Sequence, residues 1–295
     1  IVLLLIVSNA AWVVLDVILE EHSSDASTGR VRGLHLTIMN TGFLLAPFLS
    51  THIVDSYGFG GVFFGITLGY AVLFALAILF LRNGHAYSSA RMDASDALKK
   101  MLRDKNLLRI YGISFALEFF YVIMIIYSPI YLRSIGLSWE NIGVLFTVML
   151  LPFVLLQYPL GLLADKRFGE KEFLIASLAI GSISVFVMGA VPSVSLFFFG
   201  VVLFFTRVGA AGIEVLRDAY FYKQIDGGDD DLIAFFRTAR PSANIVGALV
   251  AIPFLALFPL QSIFFLAAFV LALAVLPTLS LEDTPGEKEM TGISV

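Results

Sequence analysis

Apolar positions along this chain come in long blocks, separated by short polar connections. Nine runs of mostly apolar residues can be marked, over 1–19, 35–54, 61–81, 108–131, 140–163, 173–191, 195–219, 234–256 and 261–280. A helix needs about 20 such residues to cross the hydrocarbon core of a bilayer, whereas a membrane strand needs about 10 and alternates apolar with polar. The runs are too long for strands and do not alternate. They predict nine transmembrane helices joined as antiparallel hairpins, an all-α membrane protein whose first partner is the lipid bilayer.

Composition agrees. Hydrophobic residues make up 59% of the chain and charged ones 14%, against about 45–50% and about 25% in soluble domains. With no cysteine, disulfides and thiolate metal sites are excluded. His22, His35, His52 and His85 are scattered, with no H-E-x-x-H pair, so no metal and no cofactor is expected. No basic block points to nucleic acid. The opening "IVLLLIVSNAAWVVLD" lacks the charged start and cleavage site of a signal peptide. Starting inside an apolar helix without Met, it is expected to be the broken edge of a longer chain.

Lys and Arg set the orientation. With the connection after the first run placed in the cytoplasm, only Arg133 among the loop cations falls on the other face, and the C-terminus is inside. The expected site is the bacterial inner membrane. The longest connection, 83–107, is basic, and "SDALKKMLRDK" puts Leu98, Met101 and Leu102 on one side behind Ser95 as N-cap. It reads as a short helix on the anionic inner leaflet or as a solvated linker between two bundles. Residues 282–295 are polar and expected to be disordered.

A repeat lies in the charged runs. "SNAAWVVLDVILEE" (8–21) laid over "TRVGAAGIEVLRDA" (206–219), at an offset of 198, sets Asn9 opposite Arg207, Asp16 opposite Glu214 and Glu20 opposite Asp218. Their common spacing keeps the polar positions on one helical face. An offset of that size is about six helix-plus-loop units, as a parallel duplication of a six-helix bundle gives. The nine helices are then the fourth to twelfth of a 6+6 plan. Residues 1–82 form the rear three helices of the first bundle, 83–107 the cytoplasmic connection and 108–281 the second bundle.

Two motifs carry a resemblance. "GLLADKRFGEK" (161–171) is similar to the signature G-x3-D-[RK]-x-G-[RK]-[RK] of the major facilitator superfamily, through Gly161, Asp165, Lys166 and Arg167, with Gly169 one place late and Glu170 where a basic residue is usual. Gly33, Gly42, Ala46, Pro47 and Ser50 are similar to that family's antiporter motif, G-x8-G-x3-G-P-x2-G, with two glycines replaced. The resemblance implies that the first and fourth helices of each bundle line a central cavity. These would be the runs at 1–19, 108–131 and 195–219, and mid-depth polar residues fall there: Asn9, Glu118 and Arg207. A charge at bilayer depth costs several kcal/mol, on the order of 3 by the lower estimates, unless it has a partner, water or a function.

Glu118 and Arg207 are therefore expected at a substrate and proton cavity with Asn9, Tyr111, Ser114 and Tyr121, Glu118 being the proton carrier. Asp16, Glu20, Glu214, Arg217 and Asp218, near the cytoplasmic helix ends, are expected to form a gate with Arg32, Arg237 and the Asp165 motif. The expected function is secondary transport of a small solute by alternating access, proton-coupled, with export favoured, by a protein that is monomeric when complete. A polytopic membrane enzyme and the permease of an ATP-driven pump stay as alternatives, although G-x-S-x-G and G-x4-G-K-[ST] are both missing.

Overall fold

The computed structural model describes residues 14–16, 18–19, 27–80, 94–191, 195–225 and 229–282, and these are helix or turn throughout. After helical pieces at 14–16 and 18–19 come α1 (Thr28–Phe80), α2 (Ala94–Arg103), α3 (Lys105–Ser134), α4 (Trp139–Leu163), a π-turn (Ala164–Phe168) and α5 (Lys171–Ala190). Then follow α6 (Leu196–Tyr222), α7 (Asp230–Arg237), α8 (Ala239–Leu257), a 3₁₀ turn (Leu260–Ser262), α9 (Ile263–Leu273) and α10 (Val275–Leu279).

Among the described residues seven stretches are long and apolar enough to span a bilayer: Ser56–Leu79, Lys105–Ser134, Trp139–Lys166, Lys171–Ala190, Leu196–Tyr222, Asp231–Leu257 and Leu260–Leu279. They match seven of the nine expected runs to within a few residues. The run at 35–54 is helical within α1, and the side chains of 46–52, 54 and 55 lie outside the described residues, so it is not one of the seven. Most of the run at 1–19 lies outside the described residues, as do 81–93 and 283–295.

Polar residues fix where the helices begin. The Asp104 carboxylate accepts the N–H groups of Asn106 and Leu107, and the Ser138 and Ser195 hydroxyls accept those of Asn141 and Phe198, so α3, α4 and α6 each start on a side-chain cap. Gly58, at φ 64° and ψ −172°, divides α1 into two limbs, a backbone setting that costs glycine little. The second limb, 56–79, buries none of its residues in the described structure.

A proline makes the other break. Pro241 has no N–H to offer the Arg237 carbonyl four residues back, and the helix turns at Thr238 between α7 and α8.

The connection expected over 83–107 is partly helix, and α3 begins at Lys105, three residues before the predicted boundary. Ser95 lies inside the first turn of α2 and not ahead of it. Only Met101 of its apolar face is buried; Leu98 and Leu102 are exposed, and Lys100 is tied to Asp229 at 2.7 Å.

A span that carries four charged residues, α6, is also the best enclosed. α6 packs against α4 and α5 and touches α1 and α3, with more than half of its apolar window buried. Its Gly209 lies against the backbone of Ser177 and Gly181 of α5, and its Gly212 against the Ser177 side chain. Arg207, Arg217 and Asp218 therefore face protein, which is the physical reason such residues can sit in so apolar a helix.

Candidate functional site

From α6 outward, six charged side chains alternate in sign. The Arg217 guanidinium meets Glu118 of α3 at 2.9 Å and its neighbour Asp218 at 3.4 Å. Asp218 accepts from Arg237 of α7 at 3.0 Å, Arg237 reaches Asp16 at 2.7 Å, and Asp16 accepts from Arg32 of α1 at 2.9 Å. Arg32 also lies flat over the Tyr222 ring, 3.3 Å from its centre. Three cations face three anions, so the ladder is neutral. Deleting one member of such a buried set leaves an uncompensated charge and costs about 3–5 kcal/mol.

The sequence places Glu118 in a mid-depth cavity and Arg217 in a separate gate; the structure joins them in one ladder. Ser114, expected beside Glu118, accepts Arg217 through both its hydroxyl (2.6 Å) and its carbonyl (3.2 Å). Tyr111 bonds the Thr238 hydroxyl at 3.1 Å. Asn9 and Glu20 lie outside the described residues.

Glu214 stands apart from the ladder. It accepts a bond of 2.7 Å from the Gln157 amide, whose oxygen accepts one of 2.9 Å from Asn40. A rung of neutral amides thus links α1, α4 and α6. Sequence reasoning missed Gln157, although it is the lone amide near the centre of an apolar run; it is fully buried.

Arg207 stands apart as well. It is 3% exposed and lies over Phe120 and Tyr121, with its guanidinium carbon 5.3 and 5.7 Å from the ring centres. Its guanidinium makes no hydrogen bond or ion pair among the described residues, and the buried Tyr121 hydroxyl has no partner either.

The last cluster closes the end of the molecule where the basic connections lie. Asp165 accepts the backbone N–H groups of Gly29 (3.0 Å) and Arg30 (2.6 Å) at the start of α1, where the helix dipole favours an anion. Lys223 lies 3.1 Å from Asp165 and 2.6 Å from Glu170. Burial depresses the Lys223 ammonium, but Glu170 and then Asp165 outweigh it and hold its pKa above the ordinary lysine value. Glu170, the departure from the signature, thus has a buried partner. Gly169 ends the π-turn at φ 69°, in the left-handed region, while Lys166 is exposed and the Arg167 side chain lies outside the described residues.

Beside Asp165 the backbones of α1 and α4 touch. A Cβ on Gly33 would come 2.6 Å from the Gln157 carbonyl, and one on Gly161 would collide with the Gly29 carbonyl. Tyr158 donates its N–H to Thr37 at 3.2 Å. The bonded contacts run from Gly29 to Asn40, a length of about 16 Å at 1.5 Å per residue. Farther along α1, Phe43 and Leu45 are exposed and a Cβ on Gly42 would meet nothing among the described residues. Of the antiporter-like set, then, Gly33 is used for close packing and Gly42 is not; the side chains of Ala46 and Pro47 lie outside the described residues.

A conserved-family model described as Major Facilitator Superfamily matches the chain in two overlapping stretches, residues 1–146 and 120–292. The chain belongs to the major facilitator superfamily. Members of this superfamily are transporters, so the membrane-enzyme reading falls, and the chain is an integral membrane protein. A Bacillus subtilis (strain 168) protein described as an uncharacterized MFS-type transporter, YfkF, is 24% identical over 173 residues. That match covers 58% of this chain and 43% of YfkF, less than half of the relative's length.

Proposed function

We propose that the protein is a secondary transporter that moves a small solute by alternating access, coupled to protons and running in the direction of export. The reading rests chiefly on the Arg217 to Glu118 pair, the end rung of a neutral ladder that reaches α1 through Asp16 and Arg32. Protonating Glu118 would remove one charge from the ladder and release Arg217, weakening contacts made only while the basic end is closed. A switch of this kind needs a difference of only a few kcal/mol between states, on the order of 1–3. The small-residue contact at Gly33, within the antiporter-like set, supports export.

In this reading the closed end faces the cytoplasm of a bacterial inner membrane, with the C-terminus inside; the excess of Lys and Arg in the connections supports that orientation. On the same reading 1–82 belong to one bundle and 108–281 form the other, joined by the basic connection at 83–107, as the offset of 198 between the two charged runs suggests. Reconstituted in liposomes with a pH-sensitive dye inside, the complete protein should move protons when solute is added. Glu118→Gln should exchange solute without proton flux. Undiminished proton coupling in that variant refutes the assignment. Spin labels across α1 and α4 that report one unchanging distance refute alternating access itself.

A further inference from the structure

We propose that the transported solute carries an anionic group, a carboxylate or phosphate, received by the guanidinium of Arg207 and the hydroxyl of Tyr121. The proposal rests on the transporter reading above and names the class of its substrate. It begins from the charges that remain once the ladder is closed. Arg32, Arg217 and Arg237 are matched by Asp16, Asp218 and Glu118, and Glu118, the acid that could have served a cationic solute, is occupied by Arg217. Arg207 is a buried guanidinium that forms no ion pair or hydrogen bond with a carboxylate among the described residues, Glu214 acting on it only at longer range.

Its depth makes that vacancy informative. Arg207 lies 11 residues from the start of α6 at Leu196, about 16 Å along the axis, where a desolvated cation is costly. A guanidinium matches carboxylate or phosphate oxygens through two parallel donors. The Tyr121 hydroxyl is a second donor without an acceptor among the described residues, on the ring over which Arg207 lies. Two unsatisfied donors side by side ask for an acceptor.

The surroundings describe the rest of the ligand. Phe120 and Phe153 flank the Tyr121 ring, with centroids 5.6 and 6.4 Å away, so the anionic head adjoins an aromatic wall suited to an apolar body. Glu214, one helical face and seven residues away on α6, repels a second anionic group at that end, which favours a monoanion over a dianion.

Calorimetry on the complete protein in an uncharged detergent tests this, with matched probes that differ only in charge: benzoate against benzamide and acetate against acetamide, and inorganic phosphate as the second anion class. Benzoate should bind and benzamide should not. Arg207→Gln should abolish benzoate binding, Arg207→Lys should keep part of it, and Tyr121→Phe should weaken it by about ten-fold, as the loss of one bond to a charged acceptor does. Because no hydrogen bond or ion pair to Arg207 is lost among the described residues, Arg207→Gln should fold; should it not, Tyr121→Phe and Arg207→Lys carry the test. Equal binding of benzoate and benzamide, undiminished binding in Arg207→Gln, or binding of none of the anions overturns the proposal. So does a response confined to added phosphatidylglycerol, which would make the anion a lipid headgroup. The spin-label distances are read separately: two states with no anion effect sink this proposal alone, and a single fixed state sinks the transport reading.

Discussion

Gly33→Ala and Gly42→Ala make the same chemical change on the same limb of α1, yet they should act in opposite ways. At Gly42 the new methyl meets nothing among the described residues, so helix propensity is what counts there, and alanine is better than glycine by about 1 kcal/mol. That gain is present whether or not α1 and α4 touch, so it stabilises the protein without shifting its state. At Gly33 the methyl would lie 2.6 Å from the Gln157 carbonyl and 3.0 Å from the Tyr158 Cα, both backbone atoms that no rotamer change can move. Overpacking of this kind costs about 1–3 kcal/mol. The cost falls only on the state in which the helices touch, and shifts the touching-to-parted equilibrium by about 5- to 150-fold. The chain has no cysteine, so single cysteines at the exposed Leu34 and Leu163 can carry spin labels in an otherwise silent background. Dipolar spectra should show a longer-distance population growing in Gly33→Ala and the parent distribution in Gly42→Ala. A parent-like distribution in Gly33→Ala would refute the idea that backbone contact holds this end shut.

Three further outcomes follow from the same geometry. Asp165→Ala removes the acceptor of one buried and one part-buried N–H group and a partner of Lys223, and should lower unfolding stability by about 2–4 kcal/mol in chemical denaturation. In the ladder, Glu118→Leu and Arg217→Met should each destabilise by about 3–5 kcal/mol, while the double variant recovers much of the loss, because two well-packed apolar groups replace a neutral pair; additive losses in thermal melts would count against the pairing. Lys223 is held above the ordinary lysine value, so its stabilising contribution is complete below about pH 10 and is lost as pH rises through the raised value. Lys223→Met should therefore melt lower than the parent at neutral pH and converge with it under strong alkali.

Much of this was legible because lipid imposes a coarse rule: a helix must be apolar for about 20 residues or leave the membrane. Seven spans, the enclosure of Arg207 and Glu118, and the importance of Asp165 all come from that rule together with the spacing of charges. Pairing is finer. Glu118 and Arg217 are 99 positions apart, and only the rotation of α3 against α6 decides that Arg217, and not Arg207, reaches the carboxylate. Gln157 escaped notice because hydropathy barely distinguishes a bridging amide from a tolerated one. Gly33 and Gly42 look alike in sequence, and what separates them is the place where α4 departs from α1. Asn9 and Glu20 fall where the structure is silent, so their expected roles stand as sequence expectations.

The seam of Gly29, Gly33 and Gly161 has a mechanical consequence. Surfaces made of bare main chain have no pegs to withdraw from sockets, so parting them demands no rotamer rearrangement and leaves no hollow behind. Such a joint can open in one step, with the ionic groups along its margin adding to the hold of the main-chain contact. Its tightness then answers to protonation as well as to packing.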